Sequence, residues 1–307
     1  MKFRFSGLQW CLATMLCAVM AGCEYHPKET QEKYLVVATT GMIADGLTNI
    51  LPADFKVYPL MGPGVDPHLY EPKPSDIRSL ANAEVVVYNG LHLEGKMAEL
   101  FSKLKNEKGV FAVAEGINNS KLISIDEHSH DPHIWLDPFI WADGLEKVAE
   151  NLSSQYPEFE QEIKRKDTLY LSKVRAQGEK MKAEIQQIPE EKRVLITSHD
   201  AFHYFGIAFD VEVQALQGVS TVAEPGIRKV EDLAEFIIHY NIPSVFVESS
   251  VSSKSMKALR QACGRNGHEL AEGGTLYSDA MGDKESGADT YLKMLQSNTK
   301  TLVNGLK

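Results

Sequence analysis

The order of apolar and polar positions predicts a chain of alternating strands and helices. Apolar runs rich in β-formers lie at Tyr34–Thr40, Phe55–Leu60 and Val85–Tyr88, and segments with helical spacing lie between and after them. The helices predicted in this part are Met42–Leu51, Ser75–Ala81 and Asp137–Ser154. Such βα units favour parallel strands covered by helices. We therefore predict an N-terminal α/β lobe.

A second series of βα units follows Pro189. The predicted strands are Val194–Thr197, Val211–Leu216, Ser244–Glu248 and a run near Glu269, and the predicted helices begin at Asp200, Val230, Ser255 and Asp289. This repetition of the same pattern predicts a C-terminal α/β lobe.

A long amphipathic helix is predicted between the two series. From Phe159 to Ile188 apolar residues recur at an average spacing close to 3.6, with charged residues between them. About 30 helical residues span roughly 45 Å, more than a crossover inside one small lobe needs. The fold class is therefore α/β, with two Rossmann-like lobes of mainly parallel sheet flanked by helices, joined by one long rigid helix. Ligands of such sheets bind outside the carboxyl ends of the strands, which predicts a cleft between the lobes.

The start of the chain predicts export. Lys2 and Arg4 precede an apolar run, Leu8–Ala21, that is too short to span a bilayer and is typical of a signal peptide. The run ends in Met20-Ala21-Gly22-Cys23, which resembles the lipobox of bacterial lipoproteins, so Cys23 is expected to carry a lipid. Ordinary secretory cleavage is the alternative. The predicted divisions are 1–22 signal peptide, 23–157 N-terminal lobe with lipidated Cys23, 158–188 linking helix and 189–307 C-terminal lobe.

Cysteine use and charge narrow the picture. Cys11 and Cys17 lie in the apolar run and Cys23 in the anchor, so Cys263 alone cannot form an internal disulfide. The chain carries a formal charge of −10, and loss of Lys2 and Arg4 leaves 30 basic against 42 acidic residues, a charge of −12. Nucleic acid is not an expected partner of such a chain.

Four metal-binding side chains lie where predicted strands give way to loops or helices: His68, His133, His199 and Asp279. Three imidazoles and one carboxylate suit zinc, manganese or ferrous iron. Two of the histidines share one context, Asp-Pro-His, and the aspartates Asp66 and Asp131 are expected to orient imidazoles. The predicted site draws its ligands from both lobes. Glu248 ends a strand near the predicted cleft, and His92 opens a helix after Tyr88-Asn89-Gly90. Each either supports a ligand or caps the following helix, and neither is in the predicted ligand set.

Five ordered motifs give the chain a specific resemblance from about Tyr34 to its C-terminus. They are Met61–Tyr70, Tyr88–Glu94, Asp131–Trp135, Ser198–Phe202 and Tyr277–Gly282. Together they resemble the zinc- and manganese-binding lipoproteins of ABC transporters, the cluster A-I solute-binding proteins.

The resemblance implies a monomeric protein, not an enzyme, that captures one zinc or manganese ion outside the membrane. It further implies delivery of the ion to a permease powered by a cytoplasmic ATPase. The implied location is the bacterial cell envelope, lipid-anchored and facing the periplasm or the exterior, with inner and outer membrane left open. Carried over residue by residue, the implied ligands are His68, His133, His199 and Asp279.

Departures from the family pattern bear on the choice of metal. Zinc-specific relatives often have a long histidine-rich loop before the second ligand, where this chain has only His128 and His130. These two residues form either a short metal-gathering loop or a pair of solvated side chains. Manganese-specific relatives often have glutamate where this chain has His199, which favours zinc without excluding manganese.

A local pattern supports two alternatives to transport. His199-Asp200-Ala201-Phe202-His203 resembles the H-E-x-x-H helix of metalloproteases, with Asp200 as the base of an exported zinc-dependent hydrolase. An adhesin with the same fold is the other alternative. For the transport site, protonation of ordinary histidines predicts that metal affinity falls below about pH 6.5.

Overall fold

The computed structural model describes residues 33–307, so the predicted signal peptide and Cys23 lie outside the described residues. The N-terminal lobe is built on a parallel sheet with strand order β2-β1-β3-β4. Its strands are β1 (Tyr34–Ala38), β2 (Phe55–Pro59), β3 (Val85–Tyr88) and β4 (Gly109–Ala112), and its helices are α1 (Gly41–Ile50), α2 (Pro74–Asn82), α3 (Ala98–Leu104) and α4 (Pro138–Gln155). The central strands β1 and β3 are apolar along their length because helices cover both faces of the sheet.

The C-terminal lobe contains two parallel strand pairs, β5 with β6 and β7 with β8, and β5 contacts β7. Its strands are β5 (Val194–Thr197), β6 (Glu212–Ala215), β7 (Ser244–Glu248) and β8 (Ala271–Leu276), and its helices are α6 (His203–Phe209), α7 (Ile227–His239), α8 (Lys254–Arg265) and α9 (Tyr291–Leu306). Two α/β lobes of mainly parallel sheet are thus confirmed.

The predicted linking helix is α5 (Glu160–Ile185), which is 26 residues long. It buries Ile163, Tyr170, Val174 and Met181 against α1, α4 and α9. The regular helix ends three residues before the predicted Ile188, because the next turn tightens to bonds between residues three apart, such as Ile188 N–H to Ile185 carbonyl at 2.9 Å.

One hydrophobic core joins the two lobes. It includes Ile43 of α1, Leu145 of α4 and Val174 of α5, and it continues into Phe205 of α6 and Leu302 of α9. Rotation of one lobe against the other would expose this shared apolar surface to water. The packing therefore favours small movements between the lobes.

Several sequence-based boundaries were wrong, and two elements were missed; the helix predicted from Val230, for example, begins at Ile227. The helix predicted from Asp200 begins at His203, because Glu248 and the turn at His199 hold the backbone N–H groups before it. The strand predicted near Glu269 begins at Ala271. Helix α3 was missed because it has only seven residues, and β4 was missed because its Gly109 and Ala112 are poor strand formers. Across residues 33–307, no helix combines the length and apolar character that crossing a bilayer requires.

Candidate metal centre

The four predicted ligands come together at one point between the lobes. Nε2 of His133 lies 3.2 Å from Nε2 of His68 and 3.3 Å from Nε2 of His199. The Asp279 carboxylate completes the group, with Oδ1 3.4 Å from His133 Nε2 and Oδ2 3.3 Å from His199 Nε2. One ligand atom from each residue lies within 4.8 Å of all the others. The arrangement is able to hold a metal ion.

The site is shielded from solvent. His133 and His199 are fully buried, Asp279 is 1% exposed and His68 is 9% exposed. Neither carboxylate oxygen of Asp279 has a hydrogen-bond partner within bonding geometry, and the nearest groups are Nε2 of His133 and Nε2 of His199, at 3.4 and 3.3 Å. A cation bound among the four side chains would satisfy both oxygens.

A bend after β5 and a loop after β8 place two of the four residues. His199 follows β5 by two residues, and Asp279 follows β8 by three. His68 lies farther along the loop after β2. The prediction that all four lie at strand ends was wrong for His133, which is 21 residues beyond β4 and begins a helical turn before α4.

The Asp131 carboxylate orients the His133 ring. Its Oδ1 accepts hydrogen bonds from the His133 backbone N–H at 2.9 Å and from Nδ1 at 2.7 Å, which leaves Nε2 facing the other ligands. The loop itself is fixed by two buried contacts: Tyr204 donates to the Asp131 carbonyl at 2.9 Å, and Asn89 donates to the Pro132 carbonyl at 2.9 Å.

Glu248, at the end of β7, has the same role for His199. Its Oε1 accepts from the backbone N–H groups of Ser198 and His199, at 2.8 and 2.9 Å. Its Oε2 lies 2.5 Å from Nδ1 of His199. Sequence analysis placed Glu248 near the cleft and outside the ligand set, and the four-residue group does not include it.

His68 is held differently. Asp66 Oδ1 accepts from the His68 backbone N–H at 2.8 Å, and Asp66 Oδ2 accepts from the Thr221 hydroxyl of the opposite lobe at 2.6 Å. No carboxylate within residues 33–307 is bonded to Nδ1 of His68. The expectation that Asp66 orients an imidazole was therefore wrong: it orients the backbone of the ligand loop and contacts the other lobe.

These neighbours set the charge of the site. Burial opposes a charge on the His133 ring, but the Asp131 and Asp279 carboxylates outweigh it and raise the pKa of His133 to about 9. Burial also opposes a charge on the His199 ring, but Asp279 and Glu248 outweigh it and raise the pKa of His199 well above its usual value. Burial also opposes the charge on Asp279, yet the two imidazoles hold the pKa of Asp279 well below its usual range. The pKa shifts of His133 and His199 on one side and of Asp279 on the other therefore favour charged imidazoles beside a charged carboxylate.

The outer ligand has the opposite shift. Burial lowers the pKa of His68 to about 4, and the nearby Asp279 only partly offsets it. His68 is therefore neutral at pH 7, the form of the ring that would bind a metal without first losing a proton.

His203 lies outside the four-residue group. Its Nδ1 is 3.3 Å from Asp131 Oδ2, and its Nε2 is 3.1 Å from Asp200 Oδ1. Both ring nitrogens of His203 therefore face carboxylates. His203 and His199 do not point their ring nitrogens at a common metal position, as the hydrolase alternative would require.

The remaining histidines of interest line a separate cavity of about 560 Å³. His92, His128 and His130 contribute to its wall, but they are not part of the four-residue group. Their contribution to metal capture stays a hypothesis.

Sequence reasoning missed the contacts that join the two sides of the site. Trp135 follows His133 by two residues, and its indole N–H donates to the carbonyl of Ser278, which precedes Asp279. The Tyr291 hydroxyl donates to the Trp135 carbonyl. The motifs contain Trp135 and Ser278, but their sequence separation gives no sign that they touch.

A family model described as "Zinc-uptake complex component A periplasmic" matches residues 36–305. The chain belongs to this family of solute-binding components of metal ABC transporters. The resemblance inferred from the motifs is confirmed.

Individual relatives agree. The zinc-binding protein TroA of Treponema pallidum is 43% identical over 274 residues, 89% of each chain. The manganese-binding lipoprotein MntA of Bacillus subtilis is 39% identical over 304 residues, 97% of this chain and 99% of MntA. The solved structure of the periplasmic zinc-binding protein TroA superposes with a TM-score of 0.87, covering 89% of this chain and 99% of that one.

Proposed function

We propose that this protein captures one zinc or manganese ion outside the cytoplasm and delivers it to an ABC importer. His68, His133, His199 and Asp279 are the proposed ligands. The metal is cargo, and the protein acts by binding and release. Membership of the metal-uptake family and the zinc- and manganese-binding relatives support this function.

The observation that carries the ligand assignment is the Asp279 carboxylate. It is buried without a hydrogen-bond partner, and its two oxygens face Nε2 of His133 and His199. A tetrahedral zinc ion with bonds of about 2.05 Å has ligand atoms about 3.3 Å apart. His133 Nε2 lies 3.2 Å from His68 Nε2 and 3.3 Å from His199 Nε2, close to this value. Asp279 approaches the two inner rings with different oxygens, Oδ1 at 3.4 Å from His133 and Oδ2 at 3.3 Å from His199, and the four ligand atoms all lie within 4.8 Å of one another.

We propose the divisions 1–22, 23–157, 158–188 and 189–307 for the signal peptide, the two lobes and the helix between them. A lipid on Cys23 would hold the monomeric protein at the membrane, where its partners are the permease and, through it, the ATPase. The lipoprotein MntA, which spans nearly the same length, supports this arrangement.

We further propose that the protein is not an enzyme. The hydrolase alternative needs His199 and His203 on one metal ion, whereas His203 lies between Asp131 and Asp200. Metal that is retained when His68, His133 or Asp279 is changed, but lost when His203 is changed, would support the hydrolase instead.

Elemental analysis of the purified protein and its four alanine variants tests the ligand set. We expect about one zinc or manganese ion per chain, as in sites with three or four protein ligands. The metal content should fall in each of His68→Ala, His133→Ala, His199→Ala and Asp279→Ala. His239→Ala, at the exposed end of α7, is the control and should keep its metal.

A further inference from the structure

Trp135 contacts both sides of the metal centre. Its ring packs edge-on against the His133 ring, with centroids 5.2 Å apart and an interplanar angle of 63°. Its indole N–H donates to the Ser278 carbonyl at 2.6 Å, across a sequence distance of 143 residues. Ser278 directly precedes Asp279. One buried side chain therefore touches a proposed ligand of the N-terminal lobe and the backbone beside a proposed ligand of the C-terminal lobe.

A chain of hydrogen bonds on the side of Trp135 away from the metal centre fixes its position. Tyr291, at the start of α9, donates its hydroxyl to the Trp135 carbonyl at 2.8 Å. The Tyr291 backbone N–H donates to Asp45 Oδ2 at 3.1 Å, and the same oxygen accepts from Tyr170 of the linking helix at 3.1 Å. The chain of bonds thus runs from the linking helix, through Asp45 and Tyr291, to Trp135.

The network is buried throughout its central part. Trp135 is 1% exposed, and Tyr291 and Ser278 are fully buried. Hydrogen bonds in such an environment are directional and are not replaced by water when they break, because no water reaches them. A change in the distance between His133 and Asp279 would therefore strain or break the buried bond between Trp135 and Ser278.

We propose that Trp135 is a positioning residue that fixes the separation of His133 and Asp279, and thereby selects the ion by its preferred bond lengths and coordination number. This inference rests on the proposed function, since it assumes that the four side chains bind the transported metal. The His133–Asp279 separation of 3.4 Å suits the short bonds of tetrahedral zinc. Manganese favours octahedral coordination, which needs room for further ligands.

The consequence is a specific effect on selectivity. When the Trp135–Ser278 bond is removed, the Asp279 loop is free to move away from His133. Zinc loses a tight tetrahedral fit, while manganese gains room for additional oxygen ligands. The ratio of zinc affinity to manganese affinity should therefore fall.

Trp135→Phe tests this inference, with Trp141→Phe as its matched control. Both tryptophans are fully buried, but Nε1 of Trp141 has no hydrogen-bond partner. Both changes remove the same volume from the core, and both should lower Tm. Competition titrations of the purified full chains with zinc and with manganese, at one pH, give the two affinities.

We expect Trp135→Phe to lower the zinc-to-manganese affinity ratio by about fivefold or more, within the range known for residues that orient metal ligands. Trp141→Phe should leave the ratio within about twofold of the wild type, because it keeps an aromatic ring beside Tyr291 and removes no hydrogen bond of the network. An unchanged ratio in Trp135→Phe, or equal shifts in both variants, would overturn the inference. Failure of the wild-type chain to bind either metal would instead refute the proposed function.

A second pair of variants covers the case in which Trp135→Phe does not fold. Tyr291→Phe removes only the hydroxyl that bonds the Trp135 carbonyl, whereas Tyr156→Phe removes a hydroxyl from a buried ring outside the network. Tyr291→Phe should shift the ratio in the same direction as Trp135→Phe, and Tyr156→Phe should not. Equal ratios in these two variants would count against the network.

Discussion

The inner and outer parts of the metal centre present histidine in two different ways. In the inner part, His133 and His199 are fully buried, and the Nδ1 atom of each faces a carboxylate, Asp131 or Glu248. In the outer part, His68 is slightly exposed, and its neighbouring carboxylate Asp66 bonds the backbone instead of the ring.

The difference separates two tasks. Carboxylates behind the inner rings fix the direction of Nε2 and increase its attraction for a cation, but they also attract protons, as the raised pKa values of His133 and His199 show. The outer ring has a lowered pKa and is free of that competition. We infer that the inner pair supplies strength and geometry, whereas His68 offers the first neutral ligand that an entering ion meets.

Removing one of the two inner imidazole rings should have the largest effect on zinc affinity. His199→Ala should weaken zinc binding by more than about 100-fold, beyond the effect usual for residues that only orient a ligand. It also leaves Glu248, which is 5% exposed, without its ring partner. The metal-free protein should therefore lose about 2 kcal/mol of stability. Competition titration and thermal unfolding measure the two effects.

His239→Ala serves as the control for His199→Ala, since His239 is exposed and lies at the end of α7. Both measured quantities should match the wild type in this control. Zinc affinity within a few-fold of the wild type in His199→Ala would show that the inner pair is not the main source of binding strength.

A smaller effect is expected when the His199 ring is kept and the negative charge beside its Nδ1 is removed. Glu248→Gln keeps an acceptor for the backbone N–H groups of Ser198 and His199 but takes the negative charge from Nδ1 of His199. We expect zinc binding to weaken by about 10- to 100-fold. Isothermal titration of the metal-free protein measures the change.

Glu272→Gln is the matched control, because Glu272 is an exposed acid of β8 that pairs with Arg260 on the surface. Its zinc affinity should stay at the wild-type value. If Glu248→Gln also binds zinc as the wild type does, then Glu248 acts only on the backbone. His199 would then not differ from His68 in the role of its neighbouring carboxylate.

The sequence was sufficient to predict the residues of both parts of the site, but not the way in which each residue is held. The four side chains that converge were identified from the sequence by two signals. His199 and Asp279 follow strands closely, whereas His68 and His133 share the Asp-Pro-His context and do not lie at strand ends. The roles of the two Asp-Pro-His aspartates were not separable. Asp131 and Asp66 have the same local sequence, yet the first bonds a ring and the second bonds backbone and Thr221.

That difference arises from tertiary packing. The Asp131 loop is fixed by Tyr204, which is 73 residues away, and Thr221 lies 155 residues from Asp66. Similarly, Val85–Tyr88 was predicted to the residue because all four of its residues are strong strand formers, whereas β4, which is equally short, was missed because Gly109 and Ala112 are poor strand formers. Local patterns predict elements and ligands, and long-range contacts decide how those ligands are held.

The pH dependence sharpens the comparison, because only the inner pair binds protons at pH 7. The pKa of His133 is raised from its usual value near 6.5 to about 9, so protonation stabilises the metal-free fold below pH 6.5, and this contribution is lost as pH rises through about 9. Zinc displaces these protons, so its affinity should keep rising between pH 6.5 and 9, by about tenfold per pH unit for each proton displaced. The sequence-based limit of pH 6.5 assumed ordinary histidines and is too low for the inner pair.

Titration calorimetry at pH 7 in buffers with different ionisation enthalpies measures the released protons. We expect about one to two protons per ion, from the inner pair alone. His68 has a pKa of about 4 and should release none, so residual zinc binding by His68→Ala should release the same number. Binding without proton release at pH 7 would contradict the raised inner pKa values.

The smallest effect is expected from the acid beside the outer ligand. Asp66→Asn is the same chemical change as Glu248→Gln, but the amide oxygen can still accept from the His68 backbone N–H, and no imidazole loses a charged partner. Zinc affinity should therefore change by less than about threefold, well below the effect of removing a ring partner. The Thr221 hydroxyl loses its charged acceptor, and this weaker contact between the lobes should instead speed release, measured by stopped-flow transfer of zinc to a chelator. A loss of affinity as large as that of Glu248→Gln would mean that both parts of the site depend equally on their carboxylates.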